Sequence, residues 1–179
     1  LQGFGFQEIV ASRGESAYVW DQGDNYGAFV IEGLGTKSLI ADTVRSYSGH
    51  SHYDQLAQDT IAMVVNDLVV VGALPVVVNA YWAVGDSGWH DDRERVGDLV
   101  RGWQKSCESI GATWGGGEAP TLKDILIPGT IDLGGSAYGI IKNKNHIILG
   151  DKLTPGDHIV LVESSGVHAN GITLTRKVA

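Results

Sequence analysis

The sequence predicts an α+β domain with a ferredoxin-like sheet and both helices on one face, and two observations carry that reading. The first is the order of the patterned segments, β-β-α-β-α-β-β. The second is that the two helical segments, 55–71 and 92–110, stand between strand patterns rather than at one end of the chain.

Strand patterns cover 16–20, 27–32, 76–84, 112–114 and 131–142. The first helix is apolar on nearly every side from Thr60 to Gly72, which predicts a helix mostly covered by protein. The second is amphipathic, with Val96, Leu99, Val100, Trp103, Cys107 and Ile110 at spacings of three and four. Asp91 and Asp92 at its start suit the positive end of the helix dipole. The run Val76-Val77-Val78 is too apolar for an exposed edge strand, which predicts that two copies associate through the sheet and bury it. A polar turn at 151–157, containing Pro155 and Gly156, divides the chain into 1–150 and the opening of a second α+β domain, 151–179. There the apolar run 158–163 reads as a strand, 164–171 as a turn and 172–177 as helix-like. A chain that starts at Leu1 and stops just inside this helix reads as a piece of a longer protein.

At 179 residues and 43% hydrophobic, the chain can bury one good core and part of a second. Its net charge of −8 argues against general nucleic-acid binding, which wants a basic face. With only 13 Lys and Arg residues, backbone N–H groups must do much of the work of holding an anion. The single cysteine, Cys107, excludes an intrachain disulfide and fits a reducing cytoplasm; on the apolar helix face it reads as inert core. No apolar run reaches a membrane span, and nothing resembles a signal peptide.

Candidate chemistry lies in four segments. Ser164-Ser165-Gly166-Val167-His168-Ala169-Asn170-Gly171 places free backbone N–H groups and a histidine between a strand pattern and a helix pattern. It reads as an anion cradle or as an ordinary connection. Glu32-Gly33-Leu34-Gly35-Thr36-Lys37 joins a carboxylate, two glycines and a lysine directly after an apolar strand. It lacks the Walker A spacing and reads as a phosphate-approaching turn or a glycine turn with surface charges. Asn66-Asp67, inside the apolar helix, is either a hydrogen-bonded core pair or a metal-binding carboxylate with its neighbour. Gly115-Gly116-Gly117-Glu118 means close backbone packing or ligand approach, with Glu118 a third acidic candidate. His50 and His52 make a weak ligand set in what reads as a solvated loop, with substrate contact the next option. Tyr81 and Trp82 read as core or interface side chains.

Taken together, Glu32 to Lys37, Val65-Asn66-Asp67-Leu68 running on to Pro75, Gly116-Gly117-Glu118 and Ser164 to Gly171 resemble the aminoimidazole ribonucleotide synthetase (phosphoribosylformylglycinamidine cyclo-ligase) family. The resemblance spans roughly 31–177 and is shared in plan with formylglycinamidine ribonucleotide synthetase, selenophosphate synthetase, thiamin-monophosphate kinase and a hydrogenase maturation factor. It implies the ferredoxin-like first domain of that superfamily, a homodimer paired through the first-domain sheets, and ATP and Mg²⁺ as cofactors. It implies conversion of formylglycinamidine ribonucleotide to aminoimidazole ribonucleotide in purine biosynthesis. On that plan Glu32, Asp67 and Glu118 handle metal, and His168, Lys37 and Asp67 are catalytic. Gly33, Gly35, Thr36, Lys37, Asn66, Gly116, Gly117, Ser164, Ser165 and Gly166 hold the nucleotide. Departures from the family pattern stand at Glu32 (aspartate in relatives), Ala80 (aspartate), Ala119 (threonine) and Ala169 (serine). They bear on substrate identity more than on nucleotide binding. Two rivals follow: another ATP-dependent kinase or synthetase of the superfamily, and a non-catalytic dimeric binding module.

Overall fold

Among residues 2–178, which the computed structural model describes, six strands form one sheet. They are Gln7–Glu8 (β1), Tyr18–Asp21 (β2), Tyr26–Gly33 (β3), Leu74–Val84 (β4), Thr113–Glu118 (β5) and Ile131–Ile141 (β6), in the order β1-β2-β3-β6-β4-β5. Helices Lys37–Ser48 (α1) and Tyr53–Val70 (α2) join β3 to β4, Arg93–Ser109 (α3) joins β4 to β5, and Ile172–Val178 (α4) follows later. β6 pairs antiparallel with both β3 and β4, so those two run parallel with β6 between them, and β5 pairs parallel with β4. Parallel strands need crossovers, and the helices supply them. The α+β architecture expected from the sequence is the one observed.

Alternation along the strands sorts the sheet into two faces. Val78, Ala80, Trp82 and Val84 share rows with Ala137, Gly135, Leu133 and Ile131. This face packs under α2 and α3 through Leu56, Ile61, Val64, Leu68, Leu99 and Trp103. Trp82 meets Trp103 and Trp114 with ring centroids 5.4 and 5.5 Å apart, so it is a packing residue. Cys107 is buried with them, and burial pushes its thiol up to about 11, as an inert core cysteine requires. The opposite face exposes much of Tyr18, Phe29, Ile31, Leu74 and Tyr81.

Four expectations are corrected. β4 is no edge: it lies between β6 and β5, and Val78 is fully buried beneath the chain's own helices while Val76 is partly exposed. Burial of Val78 therefore needs no second copy. Residues 37–48 form α1, which the sequence hides because serine, threonine and aspartate interrupt its apolar positions. The far end of α2 is less covered than its composition implies, since Asn66, Val69 and Val70 are exposed. Residues 158–163 form no strand; Ile159 to Val162 are 83–89% exposed, and an apolar run without a ladder partner has nothing to bond its backbone. The helix expected after it does form, as α4.

Asp92 ties α1 to α3. Its Oδ1 accepts from the Arg95 backbone N–H at 3.2 Å as the α3 N-cap, and its carboxylate pairs with the guanidiniums of Arg45 and Arg95. The Arg45 hydrogen bond, outweighing partial burial, brings the carboxyl down to about 2. A depressed folded-state pKa stabilises above the ordinary carboxylate value and is lost as pH falls through the folded value. Asp92→Ala is expected to cost about 2 kcal/mol at neutral pH in urea unfolding, and to remove part of the stability change between about pH 4 and 2. A cost under about 0.5 kcal/mol would show that the cap and ion pairs do not hold α3.

Candidate functional site

The end of β3 delivers the site. Glu32 and Gly33 run into Leu34-Gly35-Thr36, and α1 starts at Lys37. Gly35 has φ +70°, a conformation that favours glycine, which lets a helix begin this soon after a strand. The turn is anchored on β6: the Leu34 N–H donates to Leu133 O at 2.7 Å, and the buried Ser38 hydroxyl donates to Ile131 O at 3.1 Å. The space in front of it is open, for a Cβ built on Gly33 or Gly35 would meet no heavy atom within 4 Å.

Glu32 of β3 and Asp67 of α2, remote in sequence, are brought together. The Glu32 carboxyl is held above its usual range by burial first and then by the Asp67 charge beside it. A divalent cation would relieve that repulsion, and two carboxylates are the hard oxygen donors Mg²⁺ takes, so the pair fits the ion. Glu118 is not brought to them. Three inter-strand spacings, about 14 Å, separate β3 from β5, and Glu118 shares its row with Tyr81 on the sheet's other face. Among the described residues no group of three or more His, Cys, Asp or Glu side chains gathers as a metal site. The expected trio is corrected to a pair.

The glycines before Glu118 are explained by packing. A Cβ on Gly117 would stand 2.2 Å from the Ala80 carbonyl oxygen, one on Gly115 would stand 2.4 Å from Val77 Cγ2, and Gly116 has φ +124°. The irregular β4–β5 pairing needs these residues with or without a ligand. Asn66 is exposed on α2, and successive helix residues project about 100° apart, so it does not stand behind the half-buried Asp67.

Lys37 is the junction of the site. Its ammonium pairs with Asp59 of α2 and donates to the His168 carbonyl at 2.9 Å. Thr36 Oγ1 lies 3.0 Å from Thr173 Oγ1 of α4, and Ala169 packs against the core. The Ser164–Gly171 turn is thus docked on the start of α1. Within the turn, Ser164 Oγ donates to Gly166 O at 2.8 Å and lies 3.4 Å from His168 Nε2. Between α1, α2 and this turn is a cavity of about 590 Å³, lined by Lys37, His52, Gln55, Asp59, Ser165 and His168 over an apolar floor that includes Ile40, Val44 and Leu56. That volume suits a small-molecule ligand. His52, which precedes α2 and reads from sequence as a loop residue, is part of its wall, and its Nε2 is buried without a hydrogen-bond partner. Asp59 was not distinguishable from a solvated helix carboxylate; the one hint is its place eight residues before Asp67, near the same side of α2.

Comparison with known proteins gives this arrangement a family. Solved structures of similar fold include one described as AaThiL complexed with AMPPCP and TMP (TM-score 0.56, 15% identity, 71% of this chain and 36% of that one). Another is hydrogenase maturation protein HypE in complex with ATP (TM-score 0.54, 16% identity, 73% of this chain and 34% of that one). Among curated relatives, a phosphoribosylformylglycinamidine cyclo-ligase of Thermococcus kodakarensis is 38% identical over 171 residues, 96% of this chain and 47% of its own length. Its namesake from Pyrococcus furiosus is 36% identical over 166 residues, 92% of this chain and 46% of its own length. The chain therefore spans about half the length of the curated relatives it matches. The family model described as AIR synthase related protein, N-terminal domain, matches residues 14–141, which takes in β2 to β6 and the Glu32, Lys37, Asp59 and Asp67 positions, and on that match the chain belongs to the AIR synthase related family.

Proposed function

We propose that this chain is the nucleotide-handling part of an ATP-dependent cyclo-ligase that converts formylglycinamidine ribonucleotide to aminoimidazole ribonucleotide, with ADP and phosphate released. The observation that carries the reading is the convergence of three sequence-remote motifs on one end of α1. The glycine turn, Lys37 and the histidine turn meet there, beside the Glu32–Asp67 pair.

The reaction transfers the γ-phosphoryl group of ATP to an amide oxygen; a nitrogen of the same substrate then closes the ring and phosphate departs. Gly33 and Gly35 let backbone approach the phosphates, and Lys37 supplies a point charge to them. Ser164, Ser165 and Gly166 offer short polar groups and backbone N–H donors from the opposite wall. His168 stands over the cavity, where it can exchange a proton with the amide being activated. Glu32 and Asp67 would hold Mg²⁺, which when bound spreads the charge of the transferring phosphoryl group. Glu118, Gly116, Gly117 and Asn66 belong to the nucleotide site only if a ligand or a second copy brings them closer. Isothermal titration of the protein with a non-hydrolysable ATP analogue tests this. Binding that requires Mg²⁺ and weakens at least tenfold in Lys37→Met supports the site; binding unchanged in that variant contradicts it.

A homodimer belongs to the same proposal. Phe29, Ile31 and Tyr81 leave an apolar face open on the side away from the helices, the surface a second copy would cover. Ile31→Glu is expected to convert a dimer to a monomer in light scattering; a wild-type protein that stays monomeric at high concentration would contradict the pairing. No helix among the described residues is long and apolar enough to cross a membrane.

A further inference from the structure

We propose that Asp59 is the positioning residue of this site, fixing Lys37 so that one ammonium joins the glycine turn to the histidine turn; this rests on the phosphate-binding role given above to Lys37. A lysine side chain has four rotatable bonds and loses about 2 kcal/mol of rotamer freedom when held in one geometry. On an exposed surface a single carboxylate rarely offsets that. Here the geometry is different. The Lys37 and Asp59 side chains are only 18% and 27% exposed, and they pair on the wall of the cavity. Asp59 sits on α2, a helix locked into the core by Leu56, Ala57, Thr60 and Ile61 on either side of it, so its carboxylate is a fixed point.

An ammonium has three N–H donors. One goes to Asp59 and one to the His168 carbonyl at 2.9 Å, which leaves a third for an anionic ligand in the cavity. Asp59 thereby sets the direction of all three. Without its charge the lysine gains freedom, and the His168 backbone loses the polar tether that reaches it from α1. The turn then keeps only its Thr36–Thr173 contact and the packing of Ala169. Asp59 touches no reacting atom in this account; it acts through Lys37.

Hydrogen exchange followed by mass spectrometry on the intact protein provides a readout independent of activity. In Asp59→Asn, which keeps the side-chain shape, peptides covering α4, whose amides are helix-bonded and which follows the histidine turn, are expected to exchange about tenfold faster while α1 and α2 stay protected. Lys37→Met is expected to do the same, and the double variant to go no further, because both remove one interaction. Asp59→Glu should restore exchange to within about twofold of wild type. In turnover assays Asp59→Asn is expected to lower kcat/KM for ATP about tenfold, because the lysine it acts through is the phosphate-binding group, and Asp59→Glu to recover most of it. Wild-type exchange of α4 in Asp59→Asn would overturn the proposal. So would acceleration spread across the whole of α1 and α2, which would make Asp59 an ordinary structural residue. A protein that shows the exchange pattern but consumes no ATP would refute the proposed function and leave the positioning role standing.

Discussion

Replacing His168 with alanine is expected to lower kcat by a factor of about 10² to 10³ while changing nucleotide affinity less than about threefold. The ring reaches the cavity from a turn whose backbone is held by Lys37, so removing the imidazole leaves the elements proposed to bind phosphate in place. Its ring contact in this structure is with Ser164 Oγ at 3.4 Å, a bond too long to make it a structural keystone. A group that acts mainly as the transition state forms changes kcat, whereas one that holds nucleotide changes affinity. Steady-state kinetics with the intact protein checks this. Normal turnover in His168→Ala would reduce the histidine to a loop residue.

Asp67→Asn is expected to abolish Mg²⁺-dependent nucleotide binding and to stabilise the metal-free protein slightly at neutral pH. The two effects have one cause. Glu32 sits half-buried beside Asp67, and its folded-state pKa is raised by burial and by that neighbouring charge. A raised folded pKa contributes stability that is complete below the unfolded value and lost as pH rises through the folded value. At neutral pH the ionised Glu32 carboxylate is therefore a burden on the metal-free fold, and a divalent cation lifts it. Removing the Asp67 charge lifts part of it too, but leaves too few anionic oxygens for the ion. Thermal melts with and without Mg²⁺ distinguish the cases. Wild type should gain stability with the ion and Asp67→Asn should not; an equal gain in both would place the metal elsewhere.

The parts of the site that were legible in sequence are those where a residue contradicts its surroundings. Asp67 stands out because a carboxylate inside an apolar helix needs an explanation; Glu32 beside it sharpens the need, since like charges repel, and the shared cation proposed above is what would meet it. Lys37 stands out because it follows two glycines at the end of a strand. Asp59 did not, because it lies in the more polar first half of α2, where a charge is unremarkable until Lys37 is seen against it. The glycine run before Glu118 left close packing and ligand approach both open; in the structure an added Cβ would stand 2.2 Å from Ala80 O at Gly117 and 2.4 Å from Val77 Cγ2 at Gly115, so packing explains residues that also suit a ligand. Those same glycines shortened the expected strand to 112–114, whereas β5 continues to Glu118. The apolar run 158–163 shows the converse, since a strand pattern becomes a strand only when another strand is there to pair with it. The helix–strand order survived all of this because periodicity over long segments reports which side of an element is buried, whatever its partner.

The central claim, that this chain serves an ATP-dependent ring closure, is tested most directly by ADP formation. The intact protein is mixed with ATP, Mg²⁺ and formylglycinamidine ribonucleotide, and ADP and aminoimidazole ribonucleotide are measured together. The account predicts ADP release that depends on the ribonucleotide and matches the imidazole product one to one. ADP formed at the same rate without it, or no product with every component present, would contradict the account.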